Sequence, residues 1–167
     1  LYAGMIKSKD NSLNVIEYNC RLGDPETQAM VMMLEDSLYK PLINSVNGRL
    51  KEEKEIKIKN GASCCVVLTS QGYPGSYKKG LPIKGLGEIN KFYKNVKVFH
   101  AGTKSNEKGE IITDGGRVLD VTSYSPLGIK NAKSDAYSGV DLLNMWNPRI
   151  FHFRTDISDK ALKYLGN

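Results

Sequence analysis

Residues 62–69 hold an unbroken apolar run, Cys64-Cys65-Val66-Val67-Leu68, with Gly61 and Gly72 lying outside it. No polar residue alternates with the apolar ones, so the run reads as a strand buried in a sheet. The chain downstream supplies companions. Residues 96–104 read as a strand, 105–109 as a polar hairpin turn and 110–113 as its partner. Gly115-Gly116 then kinks the chain into a third strand over 117–123. Ser125-Pro126 opens a helix over 127–144, with Ile129, Ala132, Ala136, Val140 and Leu143 on one face and Gly139 inside it at some cost. Residues 150–154 read as a last strand and 158–165 as a short terminal helix. The expectation is an α+β chain, a small mixed sheet with one long helix.

Upstream, residues 1–7 and 13–19 read as two arms of a hairpin around the polar turn 8–12. Residues 26–35 are apolar at every position from 29 to 34, too many for one stripe, which predicts a well-buried helix. Asp36-Ser37 restarts a second helix through about residue 47, with Leu38, Leu42, Ile43 and Val46 at helical spacing and Asn47-Gly48 as its left-handed end. Residues 51–59 are dense in charge and read as a linker or edge strand. A domain boundary is expected there, giving units of 1–55 and 56–167.

The segment Val15-Ile16-Glu17-Tyr18-Asn19-Cys20-Arg21-Leu22-Gly23-Asp24-Pro25-Glu26 carries the densest chemistry. Alternation along a strand turns Glu17 and Asn19 to the same side, with Cα atoms roughly 6 to 7 Å apart. A carboxylate beside an amide oxygen suits a hard cation, above all Mg²⁺ with bound phosphates. Arg21 follows on the same parity and can reach a phosphate with its planar fork. Gly23 permits a bend, Asp24 can cap, Pro25 suits the first helical position and Glu26 favours the positive helix end. Local chemistry leaves a second reading open, in which Glu17 and Asn19 are solvated on an exposed face and Asp-Pro-Glu is only a cap.

Other residues exclude more than they assign. At 167 residues, 40% hydrophobic and 25% charged, the chain has the makings of a soluble globular core, one domain or a domain with a piece of another. No apolar run approaches the roughly 20 residues of a membrane span, and no signal-peptide pattern opens the chain. The net charge of +6 comes from lysines scattered among acids, which reads as a solvated surface rather than a nucleic-acid track. Cys20, Cys64 and Cys65 lack zinc spacing and read as buried free thiols in a reducing compartment, which points to the cytoplasm. His100 and His152 have no ligand or triad partners at suitable spacing and read as structural residues. The loop Gln71-Gly72-Tyr73-Pro74-Gly75-Ser76-Tyr77 has no Gly-Lys-Ser/Thr after it, so it is no P-loop and reads as a structural turn. No Gly-x-Ser-x-Gly elbow supports serine hydrolysis.

Five ordered blocks extend the pattern: Glu17 to Gln28, Gln71-Gly72-Tyr73-Pro74-Gly75, Val98-Phe99-His100-Ala101-Gly102-Thr103, Thr113-Asp114-Gly115-Gly116-Arg117-Val118-Leu119 and Phe153-Arg154-Thr155-Asp156-Ile157. Together they resemble the glycinamide ribonucleotide synthetase (phosphoribosylamine–glycine ligase) family, across nearly the whole chain. Tyr18 and Leu22 stand where the family has phenylalanine, and Asp156-Ile157-Ser158 stands for Asp-Ile-Gly, which bears on the turn after the last strand. The resemblance implies the terminal hairpin and helices of an ATP-grasp domain, followed by a small barrel-sandwich-like C-terminal domain. Members join glycine to 5-phosphoribosylamine with ATP, through an acyl phosphate, in de novo purine synthesis. ATP and Mg²⁺ (or Mn²⁺) are the implied cofactors. By motif, Glu17 and Asn19 would hold the divalent ion and Arg21 would neutralise the transferring phosphoryl group. Ile16 would lie near the adenine, although strand alternation turns it from Glu17. Asp24 and Glu26 would lie near the glycine or ribosylamine site, and Arg154 and Asp156 would support domain packing. The chain would be the C-terminal part of a larger enzyme, inactive without the portion that precedes it. Two rivals are another ATP-grasp ligase of biotin-carboxylase type, which shares Glu-x-Asn-x-Arg, and a non-catalytic basic interaction module.

Overall fold

The computed structural model describes residues 2–165. The first elements are a hairpin of β1 (Tyr2–Lys7) and β2 (Leu13–Asn19), then α1 (Glu26–Met33), α2 (Tyr39–Val46) and a 3-10 turn at Leu50–Glu52. Next come β3 (Ala62–Ser70), α3 (Leu86–Phe92), β4 (Val96–His100), β5 (Thr103–Ser105) and β6 (Ile111–Thr113). The chain continues through β7 (Arg117–Ser125), α4 (Ile129–Trp146), β8 (Phe151–His152) and α5 (Asp159–Leu165). The architecture is α+β with antiparallel sheets and five α-helices among the described residues.

The apolar run forms β3, and β7 pairs antiparallel along its length from Ala62↔Ser125 to Thr69↔Arg117. β4 lines the other side of β7 and the two-residue β8 borders β3, so the sheet order is β4-β7-β3-β8. Cys64, Val66 and Leu68 face one side with Leu119 and Val121, and there α4 covers them through Ala132, Ala136, Val140 and Leu143. That face accounts for most of the burial in the molecule. At roughly 25 cal/mol per Å² of apolar surface, it is the main source of stability. Gly139 has a physical reason inside the helix: a Cβ there would sit 3.0 Å from Val121 and 3.1 Å from Val96, so its absence lets helix and sheet close up. The opposite face of β3 and β7, bearing Cys65, Val67, Asp120 and Thr122, receives α1.

Several expectations need correction. The helix over 26–35 is not well buried: no residue of α1 is buried, and Met30 is exposed. The helix rests on the sheet by one side only, so its remaining apolar residues face outward. The second helix keeps its apolar stripe, yet Leu42, Ile43 and Val46 are exposed, since nothing among the described residues covers them. The strand over 96–104 breaks at Ala101-Gly102, where the backbone passes so close to Gly115 that a Cβ on Gly102 would lie 2.5 Å from the Gly115 Cα. Residues beyond the break pair with β6 in a separate ribbon. Helix α3 was not foreseen. It is short, with Gly85 at its cap position and Gly87 in its first turn, and one buried residue, Ile89, anchors it.

The buried Asn147 ties the lead-in of α3 to the end of α4. Its amide donates to Lys84 O at 2.9 Å and Leu143 O at 2.7 Å, and its Oδ1 accepts from Lys84 N at 2.8 Å. Arg154 and Asp156 form an exposed ion pair with each other at 2.6 Å, since their two-residue spacing on an open loop lets the guanidinium fold back. Ser158, where the family has glycine, takes a φ of 70°, the left-handed conformation that glycine adopts without strain.

Candidate active site

The hairpin pairs Gly4 with Glu17 and Met5 with Val15, so Ile16 is an extra residue bulged out of register. A bulge sets two neighbouring residues opposite one and cancels local alternation. Ile16 and Glu17 therefore line the same cavity, which strict alternation forbids. The cavity measures about 320 Å³, and Ile16, Glu17, Asn19, Arg21, Asp24 and Glu26 all border it. Gly4 opposite matters too: a Cβ there would stand 3.1 Å from the Glu17 Cγ, so the glycine leaves that side chain its place. A larger surface cavity of about 650 Å³ lies between α2 and residues 52–56, away from these groups.

Glu17 and Asn19 offer one carboxylate and one amide oxygen to the cavity. Among the described residues no group of three or more His, Cys, Asp or Glu gathers to hold a metal. The pair supplies two hard oxygens, the donor type that a cation such as Mg²⁺ takes alongside phosphates and water. Arg21 is exposed, and its Nη1 donates to Leu22 O at 3.0 Å, which holds the fork at the cavity edge. Glu26 accepts from the Tyr2 hydroxyl at 3.4 Å, and the carboxylate raises the Tyr2 phenol above its ordinary value.

Asp24 does not cap α1. Pro25 occupies the cap position and no side chain caps the helix, while Thr27 N and Oγ1 donate to Gly23 O at 3.0 and 2.5 Å. Asp24 instead reaches the sheet. Its Oδ1 accepts from Gln28 Nε2 at 2.9 Å, its Oδ2 pairs with Arg117 at 3.3 Å, and its carbonyl accepts from the same guanidinium at 2.9 Å. Gln28 Nε2 also donates to Asp120 Oδ2 at 2.8 Å, which links the loop to the middle of β7.

Asp120 is wholly buried. Burial first, and the Asp24 carboxylate second, push its carboxyl up to about 6 against the pull of Gln28 and Arg117. Its Oδ1, together with Gln28 Oε1 and Thr122 Oγ1, has no hydrogen-bond partner among the described residues. Across the ladder, burial pushes the Cys65 thiol up to about 12, so it stays protonated and inert. Cys64 is buried and Cys20 exposed, and all three cysteines are free. His100 and His152 are both exposed and take no part in the cavity. His100 Nδ1 lies 2.9 Å from Thr103 Oγ1.

The motif reading missed Gln28 as a link and Asp120 altogether. The sequence does carry a signal, a single acid between Leu119 and Val121 in an otherwise apolar strand. The partner that makes it informative lies far away in the chain.

An acid–amide pair on a bulged hairpin, joined through a capless helix to a helix-backed antiparallel sheet, defines an α+β unit with a cavity beside the hairpin. The family model described as phosphoribosylglycinamide synthetase, C domain, matches residues 63–160, more than half of the chain, and the chain belongs to that family. It is 43% identical to a phosphoribosylamine–glycine ligase of Synechocystis over 97% of this chain and 37% of that protein. It is 38% identical to a bifunctional purine biosynthetic protein of Dictyostelium discoideum over 99% of this chain and 20% of that protein. The crystal structure of a phosphoribosylamine–glycine ligase from Thermotoga maritima superposes with a TM-score of 0.62 at 27% identity, over 91% of this chain and 34% of that one. The chain thus spans about a third of the length of the single-function ligases among these relatives. None of these matches is named as a biotin-carboxylase-type ligase or a nucleic-acid-binding module. No helix among the described residues is long and apolar enough to cross a membrane.

Proposed function

We propose that this chain is the C-terminal part of an ATP-dependent phosphoribosylamine–glycine ligase, working in the cytoplasm in purine synthesis. One observation carries the reading: six residues of a single sequence block, which strict strand alternation would divide between two faces, meet around one cavity. Residues 1–55 act as the closing hairpin and helices of an ATP-grasp domain, and 56–167 as the small barrel-sandwich-like domain behind it. The other walls of the nucleotide pocket come from a preceding portion of the same enzyme.

Glu17 and Asn19 hold Mg²⁺ or Mn²⁺ by hard oxygens, and the ion, when bound, neutralises and orients the ATP phosphates. Arg21 stabilises charge on the phosphoryl group as it passes to the glycine carboxylate, a positioning and electrostatic role. Ile16, brought round by the bulge, packs against the adenine. Asp24 and Glu26 present carboxylates toward the amines of glycine and phosphoribosylamine.

The test is ADP release by the intact enzyme. Turnover that requires glycine and phosphoribosylamine together is expected, with none from biotin and bicarbonate. The 167-residue chain alone should give none. Glu17→Gln should lower kcat/KM for ATP at least about 100-fold, because an essential metal contact is lost. ADP release independent of glycine, or an active Glu17→Gln enzyme, refutes the assignment.

A further inference from the structure

A buried carboxylate with an unpartnered oxygen needs a reason, since Asp120 sits at 0% exposure among Val118, Leu119, Val121 and Thr122. The Gln28 amide nitrogen gives one N–H to Asp120 Oδ2 at 2.8 Å and the other to Asp24 Oδ1 at 2.9 Å. Both carboxylates, when ionised, are acceptors only. A flipped amide would turn its oxygen on two negative groups, so ionised Asp120 permits a single orientation of Gln28. That orientation leaves Gln28 Oε1 and Asp120 Oδ1 buried without partners, an arrangement that works against stability. The compensation lies at Asp24, whose two carboxylate oxygens are then held from opposite sides by Gln28 and Arg117.

We propose that Asp120 is a positioning residue for the cavity: its buried carboxylate fixes the Gln28 amide, which with Arg117 holds the Asp24 carboxylate in place for substrate. This rests on the ligase reading above, in which Asp24 faces an amine substrate. The charged or titratable groups facing Asp120 are Asp24 from the loop before α1, Arg117 from its own strand and the Cys65 thiol from β3. Since burial and Asp24 raise the Asp120 carboxyl to about 6, protonation just below neutral pH weakens the constraint on Gln28 and leaves Asp24 alone to select its orientation. Asp120→Asn weakens that constraint at every pH, because an amide at position 120 can pair with Gln28 in either orientation and Asp24 alone then selects one.

The test uses the intact enzyme and the Asp120→Asn variant between pH 5 and 8. For the variant, kcat/KM for the substrate that Asp24 meets should fall about tenfold, with KM for ATP maintained and no loss of melting temperature. The wild type should show an acid limb near pH 6 that the variant lacks. In the 167-residue chain, the Gln28 side-chain amide signals in a ¹⁵N-edited NMR spectrum should shift on acidification through pH 6, and should not shift with Asn at 120. That readout needs no turnover. An enzyme inactive as a ligase sinks the functional reading, while the amide titration still decides the positioning role. Unchanged kcat/KM and pH profile in the variant, or Gln28 signals indifferent to pH, overturn the proposal.

Discussion

Replacing Asp120 by asparagine should change the stability of the chain in a pH-dependent way that few core substitutions share. The Asp120 carboxyl is raised from 3.8 to about 6, by burial first and by Asp24 second. A raised acid binds its proton more tightly when folded than when unfolded. The stability associated with the protonated group is therefore present in full below pH 3.8, falls as pH climbs through 6, and is absent above that. About 2 pH units at 1.36 kcal/mol each give a loss on the order of 3 kcal/mol across this window. Asparagine is uncharged throughout and suffers no such loss. Its amide also supplies a donor that either Gln28 Oε1 or Thr122 Oγ1, both lacking partners in the wild type, can accept. Urea unfolding of wild type and variant, followed at intervals from pH 4 to 8, isolates Asp120 and the groups coupled to it, because titrations remote from it cancel in the difference. The variant should gain on the wild type by about 2 to 3 kcal/mol between pH 4 and 6.5 and hold that gain to pH 8. A difference that is flat with pH, or that favours aspartate as pH rises, would show that Asp120 is not held in an apolar, acid-facing environment.

Other substitutions test other parts of the fold. Asn147→Leu should destabilise the chain by about 2 to 4 kcal/mol in thermal or urea unfolding, because Lys84 loses partners for both its N–H and its carbonyl. Ser158→Gly should stabilise by about 0.5 to 1 kcal/mol, relief of the left-handed φ outweighing the lost 3.4 Å contact with Cys64 and the extra freedom of the unfolded chain. With a thiol reagent at pH 8, Cys20 should react in the folded protein while Cys64 and Cys65 react only on unfolding, since burial holds both of their thiols above the ordinary value.

The elements most legible in the sequence are those whose signal is local. The run around Val66 announced β3, the spacing of Ala132, Ala136, Val140 and Leu143 announced α4, and the polar turn between residues 8 and 12 announced the hairpin. The candidate cavity was legible as a set of residues, because Glu17 to Glu26 lie together in the chain. Its shape was not. The bulge at Ile16 exists only because β1 pairs with β2 in one register, and the role of Gln28 exists only because Asp120 lies beneath it. Burial of α1 was misjudged for a related reason: apolar content tells what a helix can bury, and the neighbours present decide what it does bury. Gly102 similarly ended a strand that periodicity would have continued, through a close backbone approach to Gly115.

The two-residue length of β8 has an effect on behaviour in solution. The strand pairs only with Thr69 and Ser70, so residues 62–68 of β3 have no β8 partner on that border, while on the far border β4 carries the exposed Lys97. The hairpin has no such guard, with Met5, Leu13, Val15 and Tyr18 open to water on a ribbon whose outer edges are both unpaired. Self-association at high concentration should accordingly begin at the hairpin rather than at the β4 border.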